Sequence, residues 1–235
     1  MPGRDAAVVL AGGRSRRMGV GKAGLAWRGT TLLGALLEAL EPVVGALVVV
    51  RAPGQALPPV PAAVEVVEDR AADRGPLEGM LVGLRAADAA ERALVCAVDH
   101  PWMTTALARR LLAGLDGGSE AAVPLLGGRP QPLAAAYRTD LAGPLARLLG
   151  AGERRAGALL AGRRVTWLDE AALLADPRVR AADPALDGLR DIDTPADYAA
   201  AQASSDIGTS SPAATPLPSS GSQASAWAPA SEVIE

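Results

Sequence analysis

The sequence predicts an α/β domain built on a mostly parallel central sheet. Three observations carry that expectation. Short runs rich in β-branched residues alternate with stretches of helical periodicity. Two of the runs, residues 6–11 and 93–98, are apolar almost throughout, as strands covered on both faces are. No internal repeat and no second core is visible, and 235 residues with 49% hydrophobic and 21% charged side chains suit one domain with a sizeable interior.

The elements follow in order. Residues 6–11 read as the first strand, bounded by charge and glycine. Residues 30–40 place apolar side chains at helical spacing after a Thr-Thr start. Residues 46–50 form a second strand, and residues 52–63, with five prolines and glycines, form a loop. Residues 64–67 are a third strand, 76–87 a helix and 93–98 a fourth strand ending at Asp99. Residues 104–115 form a helix capped by Thr104 or Thr105. Residues 121–126 and 132–137 flank Gly127-Gly128, which predicts a hairpin. Residues 139–149 and 155–160 are read as helices and 165–168 as a strand. A last helix spans 194–203, with Thr194 as cap, Pro195 at its first position and Asp197 three residues on. From about residue 203 to 235 the chain turns Ser-, Pro- and Ala-rich with no apolar face, the composition of a disordered tail. The domain is therefore expected over residues 1–202.

Composition excludes several function classes. A net charge of -3 and a pI near 5.3 argue against a general nucleic-acid binder. No apolar run reaches roughly 18 residues, so no membrane span is expected. The single cysteine, Cys96, rules out an internal disulfide and a cysteine-built zinc site, and it reads as a small buried hydrophobe. With no signal-peptide pattern at residues 1–13, a cytoplasmic location is expected. A monomer is compatible with all of this. Among 23 basic residues Lys22 is the only lysine, and asparagine and phenylalanine are absent. In a chain so drifted toward arginine, a retained lysine points to a place where a compact charge on a thin stem is required.

That lysine ends a distinctive segment. Residues 12–22, Gly-Gly-Arg-Ser-Arg-Arg-Met-Gly-Val-Gly-Lys, hold four glycines, three arginines and the lysine directly after the first strand. Glycines admit positive φ and close approach of N–H groups to a ligand. Successive N–H groups in such turns form an anion-binding concavity, and the cations neutralise a triphosphate. Neither the Walker spacing nor the dinucleotide G-x-G-x-x-G fits, since position 16 is Arg, position 23 is Ala, and Gly12 and Gly13 are adjacent.

Leu10-Ala11-Gly12-Gly13, Ser15, Arg17, Met18, Gly19 and Lys22 resemble the signature of nucleotidyltransferases of the molybdenum cofactor guanylyltransferase family, with Gly21 where that family usually has Asp. The resemblance continues in order. Val67-Glu68-Asp69 and Gly75-Pro76-Leu77-Glu78-Gly79 look like its E-D…GPLAG segment, and Asp99-His100-Pro101 its D-x-P. Gln131-Pro132-Leu133, Gly152-Glu153-Arg154-Arg155 and Asp191-Ile192-Asp193-Thr194-Pro195 look like its QPL, GERR and NxNTP segments, both Asn of the last being Asp here.

The resemblance implies a Rossmann-like three-layer domain of the glycosyltransferase-A-like nucleotidyltransferase type. It further implies transfer of GMP from GTP to a molybdopterin-type acceptor with release of pyrophosphate. The attacking phosphate is already ionised, so catalysis reduces to positioning and charge neutralisation. Arg17, Lys22 and Asp99 are then the expected catalytic groups. Leu10, Ala11, Gly12, Gly13, Arg51, Asp69 and Gly75 join Lys22 and Asp99 in binding the nucleotide, with Arg51 standing where the family has Asn. Asp99, at the carboxyl end of a buried strand, and Asp193 are the expected magnesium (Mg2+) ligands. Gln131, Arg154, Arg155 and Asp193 are left to hold the acceptor, the two arginines at a helix start that favours anions. His100 is expected to pack locally. The same loop and fold also serve cytidylyl- and sugar- or alcohol-phosphate transferases, and a non-catalytic nucleotide-binding regulator would share the loop. Lys22 and Asp99 together favour turnover.

Overall fold

The computed structural model describes residues 5–12, 21–70 and 75–206. Gly13 and Arg17, and the tail from residue 207 onward, lie outside the described residues. In chain order the elements are β1 (Asp5–Leu10), β2 (Ala26–Trp27), β3 (Thr30–Thr31), α1 (Leu32–Leu40), β4 (Ala46–Arg51), β5 (Val64–Glu68), α2 (Pro76–Ala86), β6 (Arg92–Ala97) and α3 (Thr105–Ala113). There follow β7 (Ala121–Leu126), β8 (Arg129–Pro130), β9 (Ala134–Arg138), α4 (Ala142–Gly150), β10 (Val165–Leu168), α5 (Glu170–Leu174), α6 (Pro177–Ala182) and α7 (Pro195–Asp206).

The main sheet runs β10-β7-β9-β6-β1-β4-β5, and only β9 within that path is antiparallel to its neighbours. The expected α/β architecture with a mostly parallel sheet is therefore present. β1 lies in its middle, paired in parallel with β4 and β6, and all six of its residues are buried. Its side chains alternate between two cores, Ala7 and Val9 into one, Ala6, Val8 and Leu10 into the other, which gives helix, sheet and helix layers. The carboxyl ends of β1, β4, β5 and β6 share one edge of the sheet, and β9 runs back so that its start lies there too, Ala134 facing Cys96.

Helix α2 lies unusually close to that sheet. A Cβ on Gly79 would meet Leu10 at 3.3 Å, and one on Gly83 would run into Val8 Cγ1. In an open helix Gly→Ala gains about 1 kcal/mol. At Gly83 the β-branched, fully buried Val8 cannot turn away, and overpacking costs about 1–3 kcal/mol. Gly83→Ala is thus expected to lower the melting temperature by about 2–8 °C. Gly150→Ala, where nothing lies within 4 Å, is expected to leave it unchanged or raise it slightly in the same calorimetric scan.

The structure departs from the sequence reading at several places. The residue pair Gly127-Gly128, both at positive φ, does turn a hairpin, but onto the two-residue β8. β7 pairs with β9 only through Ala121 and Ala122, after the chain has swung through Gln131-Pro132-Leu133. Residues 155–160 are not an α-helix. Ala156–Leu160 is a short 3-10 segment: it starts without a side-chain cap, contains Gly157 and stops before Gly162 at φ 71°, whereas the equally short α5 is capped by Asp169. Residues 139–149 open with a 3-10 turn at Thr139–Leu141 before α4 begins. Three elements went unforeseen: the β2-β3 ribbon, α5 and α6. α7 continues to Asp206, beyond the expected 203.

Candidate active site

The site is built where the parallel strands end. Leu10 closes β1, and its side chain is buried under α2 against Gly79. The N–H groups of Ala11 and Gly12 both donate to Val50 O, at 2.9 and 3.0 Å. Neither is aimed at a ligand, so the first two residues after β1 are tied to the end of β4. Gly12 has to be glycine there: a Cβ would lie 2.8 Å from Ala52 N.

Lys22 stands at the far end of the glycine-rich segment. It begins a 3-10 turn, Lys22–Gly24, pinned by the buried Ala23. Its ammonium donates to Asp99 Oδ2 at 3.0 Å and to Asp193 Oδ1 at 3.2 Å. Lys22 and Asp99 are largely shielded, while Asp193 is 53% exposed, so the cluster opens to solvent on one side. Burial works against the charge on Lys22, but the Asp99 carboxylate beside it and the hydrogen bonds to both acids outweigh this and hold its pKa above the usual lysine value. The lysine is therefore a fixed cation.

Two separate devices hold the carboxylates in place. Asp99 lies two residues beyond the end of β6, and its carbonyl accepts from Ile192 N–H at 2.9 Å. His100, 4% exposed, sets its Nδ1 3.1 Å from the carbonyl of Arg190. A carbonyl only accepts, which assigns the proton to Nδ1 in the neutral ring. These two bonds draw residues 190–193 against the Asp99 turn, the local packing role expected of His100. The start of α7 then fixes Asp193. Thr194 Oγ1 accepts from Asp197 N–H at 3.1 Å, and the Asp197 carboxylate accepts from Thr194 N–H at 2.8 Å and Asp193 N–H at 3.3 Å. The Thr194 hydroxyl and these N–H groups keep Asp197 below the usual carboxylate pKa. This reciprocal cap is the one the sequence predicts. Farther along α7, Tyr198 and Gln202 both bond Ala26 O, tying the helix to the ribbon that follows Lys22.

Asp99 and Asp193 are thus two hard oxygen donors converging on one point already occupied by a cation. Among the described residues no group of three or more acidic, histidine or cysteine side chains is placed to hold a metal. Magnesium characteristically takes only one or two carboxylates and fills its shell with water and phosphate oxygens. The pair therefore fits such an ion.

The other expected site residues divide. Arg51 ends β4 with Nη2 2.7 Å from Glu68 and Nη1 3.2 Å from Gln55 O, and its Nε is buried without a hydrogen-bond partner. Asp69 follows β5, its N–H bonded to Arg51 O at 2.8 Å. Gly75, at φ 75°, opens α2, and a Cβ there would lie 2.9 Å from Arg154 O. The glycine thus brings the Glu153–Arg155 segment up to the start of α2.

The helix start expected at Arg154 and Arg155 is absent, which removes the helical anion site. Arg154 Nη1 is turned onto the carbonyls of Leu149 and Glu153, at 3.3 and 2.7 Å. Arg155 pairs with Glu153 at 2.9 Å while staying 85% exposed. The Arg155 guanidinium and the N–H groups of both arginines lower Glu153 to about 2. Gln131 donates through its backbone to Pro124 O at 2.9 Å, and the buried Tyr137 hydroxyl donates to Pro132 O at 2.7 Å, holding this turn at the start of β9. Sequence reasoning missed Gln55, which lies in a stretch read only as loop. No motif marks it.

Residues 7–167 match the MobA-like NTP transferase domain family. A Mycobacterium bovis protein named "Probable molybdenum cofactor guanylyltransferase" is 44% identical over 160 residues, 66% of this chain and 78% of that one. Among solved structures, molybdopterin-guanine dinucleotide biosynthesis protein A of Archaeoglobus fulgidus superposes with a TM-score of 0.67 at 23% identity, over 86% of this chain and 99% of that one. A Mycobacterium tuberculosis protein solved in complex with manganese superposes with a TM-score of 0.56 at 23% identity, over 86% and 99%. With its loop, strand ends and acidic pair in the order described, the chain belongs to the MobA-like NTP transferase domain family.

Proposed function

We propose that the protein is a magnesium-dependent nucleotidyltransferase that passes GMP from GTP to the phosphate of a molybdopterin-bound molybdenum cofactor and releases pyrophosphate. The observation that carries this reading is Lys22 held between Asp99 and Asp193 at the carboxyl edge of the sheet. As it stands this trio bears a net negative charge and repels a triphosphate. A divalent cation on the two carboxylates reverses that sign and supplies Lewis-acid polarisation of the phosphates. The manganese complex of the Mycobacterium tuberculosis neighbour supports a divalent ion in this fold.

The chain's own residues do the rest. Lys22, released from the carboxylates, takes the triphosphate oxygens, joined by Arg17 and the backbone around Gly13. Arg51, Asp69 and Gly75 line the way toward the base and ribose. No general base is needed, because the attacking phosphate is ionised, and His100 is committed to Arg190. The acceptor lies against Gln131, Asp193 and the 154–155 segment, where the exposed Arg155, its Nε and Nη2 on Glu153, presents its remaining N–H groups to the acceptor's phosphate and Arg154 shapes the wall beside Gly75. No helix among the described residues is long and apolar enough to cross a membrane, and we place the enzyme in the cytoplasm, acting on small molecules.

The test is pyrophosphate release by the pure protein with magnesium and each of the four ribonucleoside triphosphates, with and without molybdopterin carrying molybdenum. Release with GTP and acceptor together is expected. Release with CTP instead, or with a sugar phosphate in place of the molybdopterin, would overturn the assignment while leaving the reaction class intact.

A further inference from the structure

We propose that Gln55 is a positioning residue for Lys22 and the triphosphate, acting through the two ends of the glycine-rich segment. It rests on the functional reading above. Gln55 lies in the β4–β5 connection, closing a tight turn with its N–H 3.0 Å from Ala52 O. Its side chain then reaches back 44 residues: Nε2 donates to Ala11 O at 3.0 Å, and Oε1 accepts from Ala52 N–H at 2.9 Å. Swapping the amide would set oxygen against the Ala11 carbonyl and N–H₂ against the Ala52 N–H, so the orientation is dictated at both ends.

The same Nε2 lies 3.9 Å from where a Cβ on Gly21 would sit, and Gly21 immediately precedes Lys22. One amide therefore bonds Ala11, just before the segment, and lies near Gly21, the residue before Lys22. Arg51 braces it from behind, bonding Gln55 O at 3.2 Å while Glu68 holds the guanidinium at 2.7 Å. Arg51 thus has a supporting part through this turn. The chain length matters: glutamine spans from the turn to β1, whereas a shorter amide stops short of Ala11. The gap between Ala11 and Gly21 sets where Lys22 stands relative to the end of β1, and so whether its ammonium meets phosphates delivered there.

Two variants separate this from a merely structural role. Gln55→Met keeps the size and loses both hydrogen bonds. Gln55→Glu keeps the acceptor toward Ala52 and places an oxygen against the Ala11 carbonyl. In both, the dissociation constant for GTP with magnesium, measured by isothermal titration calorimetry, is expected to rise about tenfold, the scale of one lost hydrogen bond. The KM for GTP should follow it, with the KM for the acceptor unchanged and the melting temperature within a few degrees of wild type. A lowered melting temperature with unchanged GTP affinity, or wild-type affinity in both variants, would overturn the proposal alone. Failure of the wild-type protein to bind any triphosphate would instead take down the functional reading, and this inference with it.

Discussion

Lys22→Ala is expected to lose about 2–4 kcal/mol of transition-state stabilisation, the scale of removing one preorganised electrostatic donor. In rate this is about 30- to 1000-fold in kcat/KM. The geometry gives two reasons for so large an effect. The ammonium is the cation that stands between Asp99 and Asp193, at 3.0 and 3.2 Å. With a divalent ion on the two carboxylates, that ammonium is the charge left to take the triphosphate oxygens, and its removal leaves them without it. It is also the only lysine in the chain, and among the described residues no arginine makes an ion pair with Asp99 or Asp193. Stability should hardly change, because a partly exposed ion pair contributes about 1 kcal/mol or less. Lys22→Arg is expected to remain well below wild type, since a broad planar fork does not place its charge where the compact ammonium on its thin stem does. Steady-state kinetics together with a thermal melt check both halves of the expectation; normal turnover in Lys22→Ala would remove the loop from the mechanism.

Asp99→Asn is expected to lower turnover by about 100-fold or more, with half-saturation shifted to higher magnesium. The substitution preserves shape and the backbone bond from Ile192 to the Asp99 carbonyl, so the fold should persist. It removes one of the two charges that attract a divalent ion. It also removes a charge that repels the triphosphate, so nucleotide affinity measured in chelator should stay the same or strengthen slightly. That opposite response of turnover and metal-free binding distinguishes a metal ligand from a residue that contacts the nucleotide directly. Identical magnesium curves for wild type and Asp99→Asn would exclude the role.

Much of the fold was legible in the sequence because its signals are local. Strands β1, β4 and β6 are buried on both faces, and such strands show as continuous apolar runs. Thr104 and Thr194 cap their helices as expected, while Thr30-Thr31, read as the first residues of a helix, form β3, with Thr31 capping α1. What failed depends on distance. The insertion of β9 between β6 and β7 is decided by pairing across the sheet, and Gly127-Gly128 reports only a turn. Residues 155–160 carry helical spacing but no capping side chain to start an α-helix. Helices α5 and α6 did leave signals, Asp169 and Asp176-Pro177, each in a segment too short to show a period.

The candidate site divides in the same way. Lys22 and Asp99 stand out by type and position, and the structure joins them across 77 residues. Asp193 enters as the third member only because residues 190–193 are drawn back by His100 and the Asp99 carbonyl, a tertiary event. Gln55 has no sequence signal, since its importance lies wholly in what its amide reaches. Arg154 and Arg155 show the reverse. Their charge is plain in the sequence, yet one is spent on neighbouring carbonyls and the other faces Glu153.

The central claim is that Asp99 and Asp193 form one cation site that works with the nucleotide beside Lys22. Electron paramagnetic resonance titration of manganese into the protein bound to a non-hydrolysable GTP analogue tests it most directly. The account expects one tight site per wild-type chain, weakened at least about tenfold in Asp99→Asn and in Asp193→Asn. Equal manganese affinity in the wild type and both variants would contradict it.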